Sequence, residues 1–346
     1  MLIIGCDFHS RFQQIAMVDT ERGEYRERRL EHGDGEARSF YATLPEPALV
    51  GIESTGYSLW FMEMLEELGH ELVVGHAATI RARAVRKQKT DARDAACLLE
   101  LLCQGRFPRV WIPGAGERDL RALLHHRHFL VEMRTRAKNG LQALAMSRGL
   151  CRGRSLWTAR GQEALEGLKL GAAPTRRRQD LLRLLEQLNV WIRQLDQQLR
   201  EQALGSAEVR RLMSHPGIGP LTALAAVAVL GPIERFANGK KVASYLGLIP
   251  SEYSSGGRQH FGHLTKQGSR LLRFLLVEAA QTACRYDPEL KQDYRRLAFR
   301  HGWAKARAAV ARKLAIRLYI LRRDQIDYAE FVRRGSPAGM PGTPLV

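Results

Sequence analysis

Leu2-Ile3-Ile4-Gly5-Cys6-Asp7 is an apolar run closed by a carboxylate. It reads as a buried β-strand that ends in an acid. A second strand is predicted over roughly 13–18. A third, more polar, covers roughly 24–30, after the turn signal Glu21-Arg22-Gly23. A short helix fits 35–44. Ala48–Glu53 is a further apolar strand, and it too ends in a carboxylate. Residues 58–68 carry apolar side chains at helical spacing and close at Gly69, and 71–74 is again a strand. In 91–102, Ala95, Leu98, Leu99 and Leu102 share one helical side. Three strands in succession, then helices alternating with strands, predict an α/β domain over residues 1–110.

The acids of that domain form a pattern. Asp7 and Glu53 end strands. Asp91 and Asp94 sit three apart in Thr90-Asp91-Ala92-Arg93-Asp94, which places both on one helix face. Taken singly, each has an ordinary role: a turn residue, or negative charge at a helix start with Thr90 as the N-cap. Converging on one point, four carboxylates would repel each other without cations. Hard divalent ions take oxygen ligands of this kind, and paired ions are a common device in phosphodiester chemistry. An actin-like ATPase also opens with a strand ending Gly-x-Asp, but no Gly-rich phosphate loop is legible.

Charge narrows the class. The 346 residues contain 54 Lys+Arg and 36 Asp+Glu, a formal net charge of +18. Residues 1–110 carry −3 and residues 111–346 carry +21. An excess of this size implies a polyanionic partner. No apolar run reaches the roughly 18 residues of a membrane span. The N-terminus lacks a secretory pattern. Five scattered cysteines with no Cys-x-x-Cys pair argue against a zinc site or a disulfide framework and for a reducing cytoplasm.

Beyond residue 110, a long helix rich in Arg and His is predicted over 117–148. The Gly-rich stretch 150–174, ending at Pro174, reads as a loop or hinge. Leu181, Leu185, Leu188, Ile192, Leu195 and Leu199 then follow a 4-3-4-3-4 spacing, a coiled-coil seam. Its partner is either the first long helix or a second protomer. Gly217 and Gly219 open a helix in a helix–hairpin–helix-like turn, which offers backbone N–H groups to phosphate or serves as structure alone. Residues 249–264 read as a Ser/Gly-rich loop. Lys266 and Arg270 flank the start of the next helix, and a basic helical tract covers 291–321. The organisation expected is therefore 1–110, a helical middle at 111–205, a mainly α-helical basic domain at 206–335, and a disordered tail at 336–346.

Three motifs carry a resemblance. Gly5-Cys6-Asp7, Ile52-Glu53-Ser54-Thr55-Gly56-Tyr57 and Lys89-Thr90-Asp91-Ala92-Arg93-Asp94-Ala95 resemble the DEDD motifs of insertion-sequence transposases with an N-terminal RuvC-like domain and a C-terminal serine domain, the bridge-RNA-guided recombinases. Gly247-Leu248-Ile249-Pro250 and Tyr253-Ser254-Ser255-Gly256-Gly257 resemble the segment that bears the family's serine. Registering on Tyr253 and Gly256 selects Ser255, with Ser254 as the competing register. Where many members have a Lys soon after the first Asp, this chain has Phe8-His9-Ser10-Arg11.

The resemblance implies an RNase H/RuvC-like first domain. It implies Mg²⁺ (or Mn²⁺) on Asp7, Glu53, Asp91 and Asp94, and attack by Ser255 on DNA to give a phosphoserine link. It further implies donor and target DNA, a structured noncoding guide RNA, and a dimer or tetramer with a composite site. Arg136, Lys138 and Asn139, with neighbouring Arg121 and His125, His126 and His128, give the first long helix a basic face compatible with RNA. Two other readings remain open: a RuvC-like nuclease using metal-activated water, and a non-catalytic nucleic-acid-binding regulator.

Overall fold

The computed structural model describes residues 1–83, 90–256 and 258–335. The chain divides into two units, Met1–Ile112 and Pro113–Val346. Lys89 and the tail at 336–346 lie outside the described residues.

The first unit is a five-stranded mixed sheet. Its elements run β1 (Leu2–Phe8), β2 (Phe12–Asp19), β3 (Tyr25–Glu31), α1 (Glu36–Ala42), β4 (Ala48–Glu53), α2 (Leu59–Glu67), β5 (Glu71–Gly75), α3 (Ala77–Arg83) and α4 (Asp91–Cys103). The strand order is β3-β2-β1-β4-β5. β1 and β2, and β2 and β3, pair antiparallel, while β1, β4 and β5 run parallel. Strand alternation sends Ile4, Cys6, Val50 and Ile52 to one face, against Tyr41, Phe61 and Leu65 of α1 and α2. Ile3 and Val73 meet Ala95, Leu98, Leu99 and Leu102 of α4 on the other. This arrangement is compatible with an RNase H/RuvC-like fold. The predicted strands are all present; α3 is an element with no counterpart in the sequence reading.

The second unit is helical: α5 (Ala115–Met146), α6 (Ala159–Glu166), α7 (Ala172–Gly205), α8 (Ala207–Met213), α9 (Pro220–Leu230), α10 (Gly239–Tyr245), then the strands β6 (Pro250–Glu252) and β7 (Phe261–Leu264), α11 (Arg270–Tyr286), α12 (Pro288–His301), α13 (Trp303–Arg323) and α14 (Tyr328–Arg333). Its main core gathers α9, α11 and α13 around Leu224, Leu272, Leu276, Leu314 and Leu318.

Four expectations need correction. The stretch 150–174 is not a plain loop, since it holds a 3-10 turn at Gly153–Trp157 and α6. α7 begins at Ala172, with Pro174 inside its first turn, where a missing N–H costs no helical bond. The 249–264 loop contains the antiparallel pair β6–β7. The tract 291–321 is two helices, broken at Gly302, whose φ of 82° is open to glycine.

The seam of α7 is used within the chain. Leu185 packs with Leu141, Leu188 and Ile192 with Leu130, and Leu199 with Leu124, so α5 and α7 run antiparallel. Arg127 of α5 closes the contact with a bond from Nε to Asp196 Oδ1 at 2.9 Å. The seam therefore supplies no argument for a second protomer.

Candidate functional site

The acidic site is built by a glycine. A Cβ added at Gly5 would lie 2.3 Å from the Leu99 nitrogen and 2.4 Å from the Ala95 carbonyl oxygen, so α4 rests directly on β1. Two residues further along the same face, Asp7 meets the start of α4. Thr90 caps that helix, its Oγ1 accepting from the Arg93 N–H at 3.4 Å. Asp91 and Asp94 occupy the first turn.

His9 completes the cluster. Its Nε2 lies 3.1 Å from Asp7 Oδ2 and 3.6 Å from Asp91 Oδ1. One ligand atom each from Asp7, His9 and Asp91 fall within 4.8 Å of one another. Burial raises the Asp7 pKa above the usual carboxylate value. His9 opposes that shift, and the Asp94 and Asp91 carboxylates add to it. Two carboxylates and an imidazole at this separation offer three ligand atoms to a divalent cation.

Glu53 stands one strand away. Ile52 pairs with Cys6, so Glu53 and Asp7 end neighbouring parallel strands. The Glu53 carboxylate is ion-paired with Arg81 of α3 at 3.1 Å. Of the four acids, Asp7 and Asp91 meet through His9, Asp94 acts on Asp7 electrostatically, and Glu53 is held by Arg81. The sequence reading missed His9 as a participant. The available signal was its place two residues after Asp7, the spacing that returns a side chain to the same face of a strand.

In the second unit, Ser254 and Ser255 sit at the tip of the β6–β7 pair. Ser254 Oγ donates to Glu252 Oε1 at 2.6 Å and accepts from the His260 N–H at 3.2 Å. Ser255 bonds through its backbone, its carbonyl accepting from the Arg258 N–H at 3.1 Å. Its hydroxyl makes no hydrogen bond among the described residues, and Gly257 lies outside them.

The basic candidates separate into exposed and committed groups. Lys266 is exposed in the left-handed region at φ 54°, just before Ser269 caps α11. Arg270 is exposed in the first turn of α11, 3.8 Å from Glu132. Arg136 and Asn139 are exposed on α5. Lys138 is half-buried with Nζ 4.7 Å over the Trp157 ring, and burial lowers its pKa. Arg121 bonds the Ala228 and Val229 carbonyls at the end of α9. The basic face expected of α5 is thus interrupted, with Arg121 and Lys138 turned to contacts within the unit.

Gly217 has a packing role: an added Cβ would lie 2.7 Å from the Ala279 oxygen and the Ala283 nitrogen of α11. Gly219 caps α9, with Pro220 as its first residue. The tract 291–321 is likewise not one solvated face. Arg317 is 1% exposed and ion-paired with Asp287 and Glu289, Lys313 with Asp293, and Arg322 with Glu208.

Among the described residues, no helix is long and apolar enough to cross a membrane. All five cysteines are free.

Comparison with known proteins places these features. A family model of IS110-type DEDD transposases matches residues 4–147. A second, described as "Transposase IS116/IS110/IS902 family", matches residues 209–295. A "Probable family 20 transposase" of Pseudomonas aeruginosa is 30% identical over 287 residues, 82% of this chain and 84% of that protein. The "Transposase for insertion sequence element IS1328" of Yersinia enterocolitica is 28% identical, covering 80% of this chain and 84% of its own length. The transposase for IS1111A of Coxiella burnetii is 28% identical over 70% of this chain and 69% of its own.

Proposed function

The chain belongs to the IS110/IS116/IS902 family of DEDD transposases, enzymes that act on DNA, and from that premise we propose a serine recombinase mechanism for it. The observation that carries the metal part is the meeting of Asp7, Asp91 and His9 against the start of α4. In this reading Asp7, Glu53, Asp91 and Asp94 hold Mg²⁺ (or Mn²⁺), with Arg81 releasing Glu53. When bound, the ion supplies charge stabilisation at the phosphate. Residues 206–335 bring the nucleophile, and residues 111–205 serve as the helical connection.

Ser255 attacks the scissile phosphorus. Its oxygen forms the new P–O bond, its proton ends on the sugar oxygen that leaves, and a phosphoserine ester and a free strand hydroxyl result. Attack on that ester by another strand's hydroxyl reverses the step and exchanges strands without a nucleotide cofactor. What favours Ser255 over Ser254 is the register on Tyr253 and Gly256, while the Ser254 hydroxyl bonds Glu252 and the His260 N–H within the hairpin. Lys266 and Arg270, beside the capped start of α11, fit backbone phosphate. Gly219 adds a second helix start, that of α9, whereas Gly217 is occupied by α11.

Arg136 and Asn139 are the exposed candidates for guide-RNA backbone, with Lys138 in a supporting place against Trp157. RNA guidance and a dimer or tetramer rest on the resemblance, and a cytoplasmic setting on the scattered free cysteines. The test is to incubate purified protein, co-purifying RNA and end-labelled element DNA with Mg²⁺, and then to run denaturing gels. The expected result is a DNA–protein adduct that Ser255→Ala and Asp7→Ala abolish and Ser254→Ala retains. Free nicked DNA with no adduct would instead favour water as nucleophile.

A further inference from the structure

Two aromatic side chains stand out of the second unit at the α12–α13 corner. Phe299 is 93% exposed and Trp303, across the Gly302 break, is 65% exposed. Trp303 is steadied on one side by Tyr294, with ring centroids 5.8 Å apart. Two rings this exposed within five residues of one corner form a candidate contact patch.

The surrounding charge identifies what does. Residues 294–312 contain six Arg or Lys and no Asp or Glu. Arg295, Arg300 and Lys305 are exposed and make no ion pair among the described residues. The acids that precede this corner, Glu289 and Asp293, are turned to Arg317 and Lys313. An apolar protein partner would meet a strongly cationic rim with no anion to balance it. A nucleic acid supplies both parts, phosphates for the cations and flat faces for the rings. In a duplex those faces are covered by neighbouring bases, so the rings need unstacked ones.

We propose that the α12–α13 corner binds a single-stranded segment of nucleic acid, with bases stacked on Phe299 and Trp303 and phosphates held by Arg295, Arg300 and Lys305. The proposal rests on the reading of the chain as a nucleic-acid enzyme and adds a site separate from the acids and the serine.

The experiment uses the full-length protein and three labelled probes, a twelve-nucleotide oligo(dT), an oligo(U) of the same length and a twelve-base-pair duplex, read by fluorescence anisotropy at fixed salt. Phe299→Ala and Trp303→Ala are each expected to weaken binding of one or both single strands about tenfold and to leave the duplex within about twofold. Arg300→Gln is expected to weaken all three probes and to flatten the salt dependence. The oligo(dT) and oligo(U) arms distinguish DNA from RNA as the strand. Circular dichroism checks that each variant is folded.

Unchanged single-strand binding in both aromatic variants overturns the proposal and leaves the DNA reading intact, as does an equal loss on the duplex. If the parent protein binds none of the probes, the proposal is overturned, while the family membership stands on the sequence comparisons. If the aromatic variants convert an oligomer to monomers on gel filtration without affecting oligonucleotide binding, the corner is a contact between copies and the proposal is overturned.

Discussion

Gly5 determines how closely α4 can lie on β1, and through that contact it places Asp91 and Asp94 opposite Asp7. Gly5→Ala must push the helix away, because the obstacles are backbone atoms that cannot rotate aside. We expect about 3 kcal/mol of lost stability by urea unfolding, together with loss of Mn²⁺ binding measured by calorimetry. The site's pH behaviour follows from Asp7. Burial raises its pKa, so just above the usual carboxylate range the folded chain keeps a proton that the unfolded chain has released. Ion-free stability from this group therefore falls as pH rises through that window. A divalent ion binds the ionised form, so its gain in Tm should be larger at pH 7.5 than at pH 4.5. Asp7→Asn should remove most of that gain; an undiminished gain in the variant would take Asp7 out of the site. The four acids were legible in the sequence because strand ends and an i,i+3 pair are local patterns. His9 and Arg81 were not, since a histidine or arginine gains its meaning only when folding brings an acid to it.

At the scale of elements, the α7 seam was legible and its partner was not. A 4-3-4-3-4 spacing defines an apolar stripe without naming what covers it; the antiparallel α5 does. Leu188→Ala should cost about 2–5 kcal/mol by urea unfolding, since Leu188 is fully buried there, and should leave the elution volume on gel filtration unchanged. The elements that were missed are short, and some of them, such as α6 and β7, contain glycine. Gly161 looks like a loop signal, yet it is needed because a Cβ there would lie 2.1 Å from the Ser155 oxygen. Gly302 likewise ends a helix inside what reads as one tract. Elsewhere, His215 ties α8 to α13. Its Nδ1 lies 2.9 Å from the Pro216 oxygen and its Nε2 3.4 Å from Arg317 Nη1. Burial lowers its pKa to about 4; the Pro216 bond opposes this and Arg317 adds to it. The folded state keeps His215 neutral while the unfolded chain takes up a proton below about pH 6.5. Stability is thus intact above that pH and is lost as pH falls toward 4, by about 3 kcal/mol in all. Denaturation midpoints between pH 7.5 and 4 should show this, and His215→Asn should flatten the slope.

At the scale of the whole molecule, the charge division of −3 and +21 also describes the units Met1–Ile112 and Pro113–Val346, because residues 111 and 112 are uncharged. The sum made a polyanionic partner legible but could not say which cations face it. Arg317, Lys313 and Arg322 are spent on internal acids, whereas Arg295, Arg300 and Lys305 face outward. Neutralising an outward group should lower the salt slope of DNA binding by about one for each phosphate it would otherwise hold. Arg317→Gln should instead unfold the second unit at lower urea, by breaking a buried pair. One arrangement in the first unit bears on how the enzyme is made ready. Glu53 rests on Arg81, and the imidazole of His9 stands between Asp7 and Asp91. Glu53 thus has a counter-ion of its own within the chain, and an ion that takes Glu53 as a ligand must first displace Arg81.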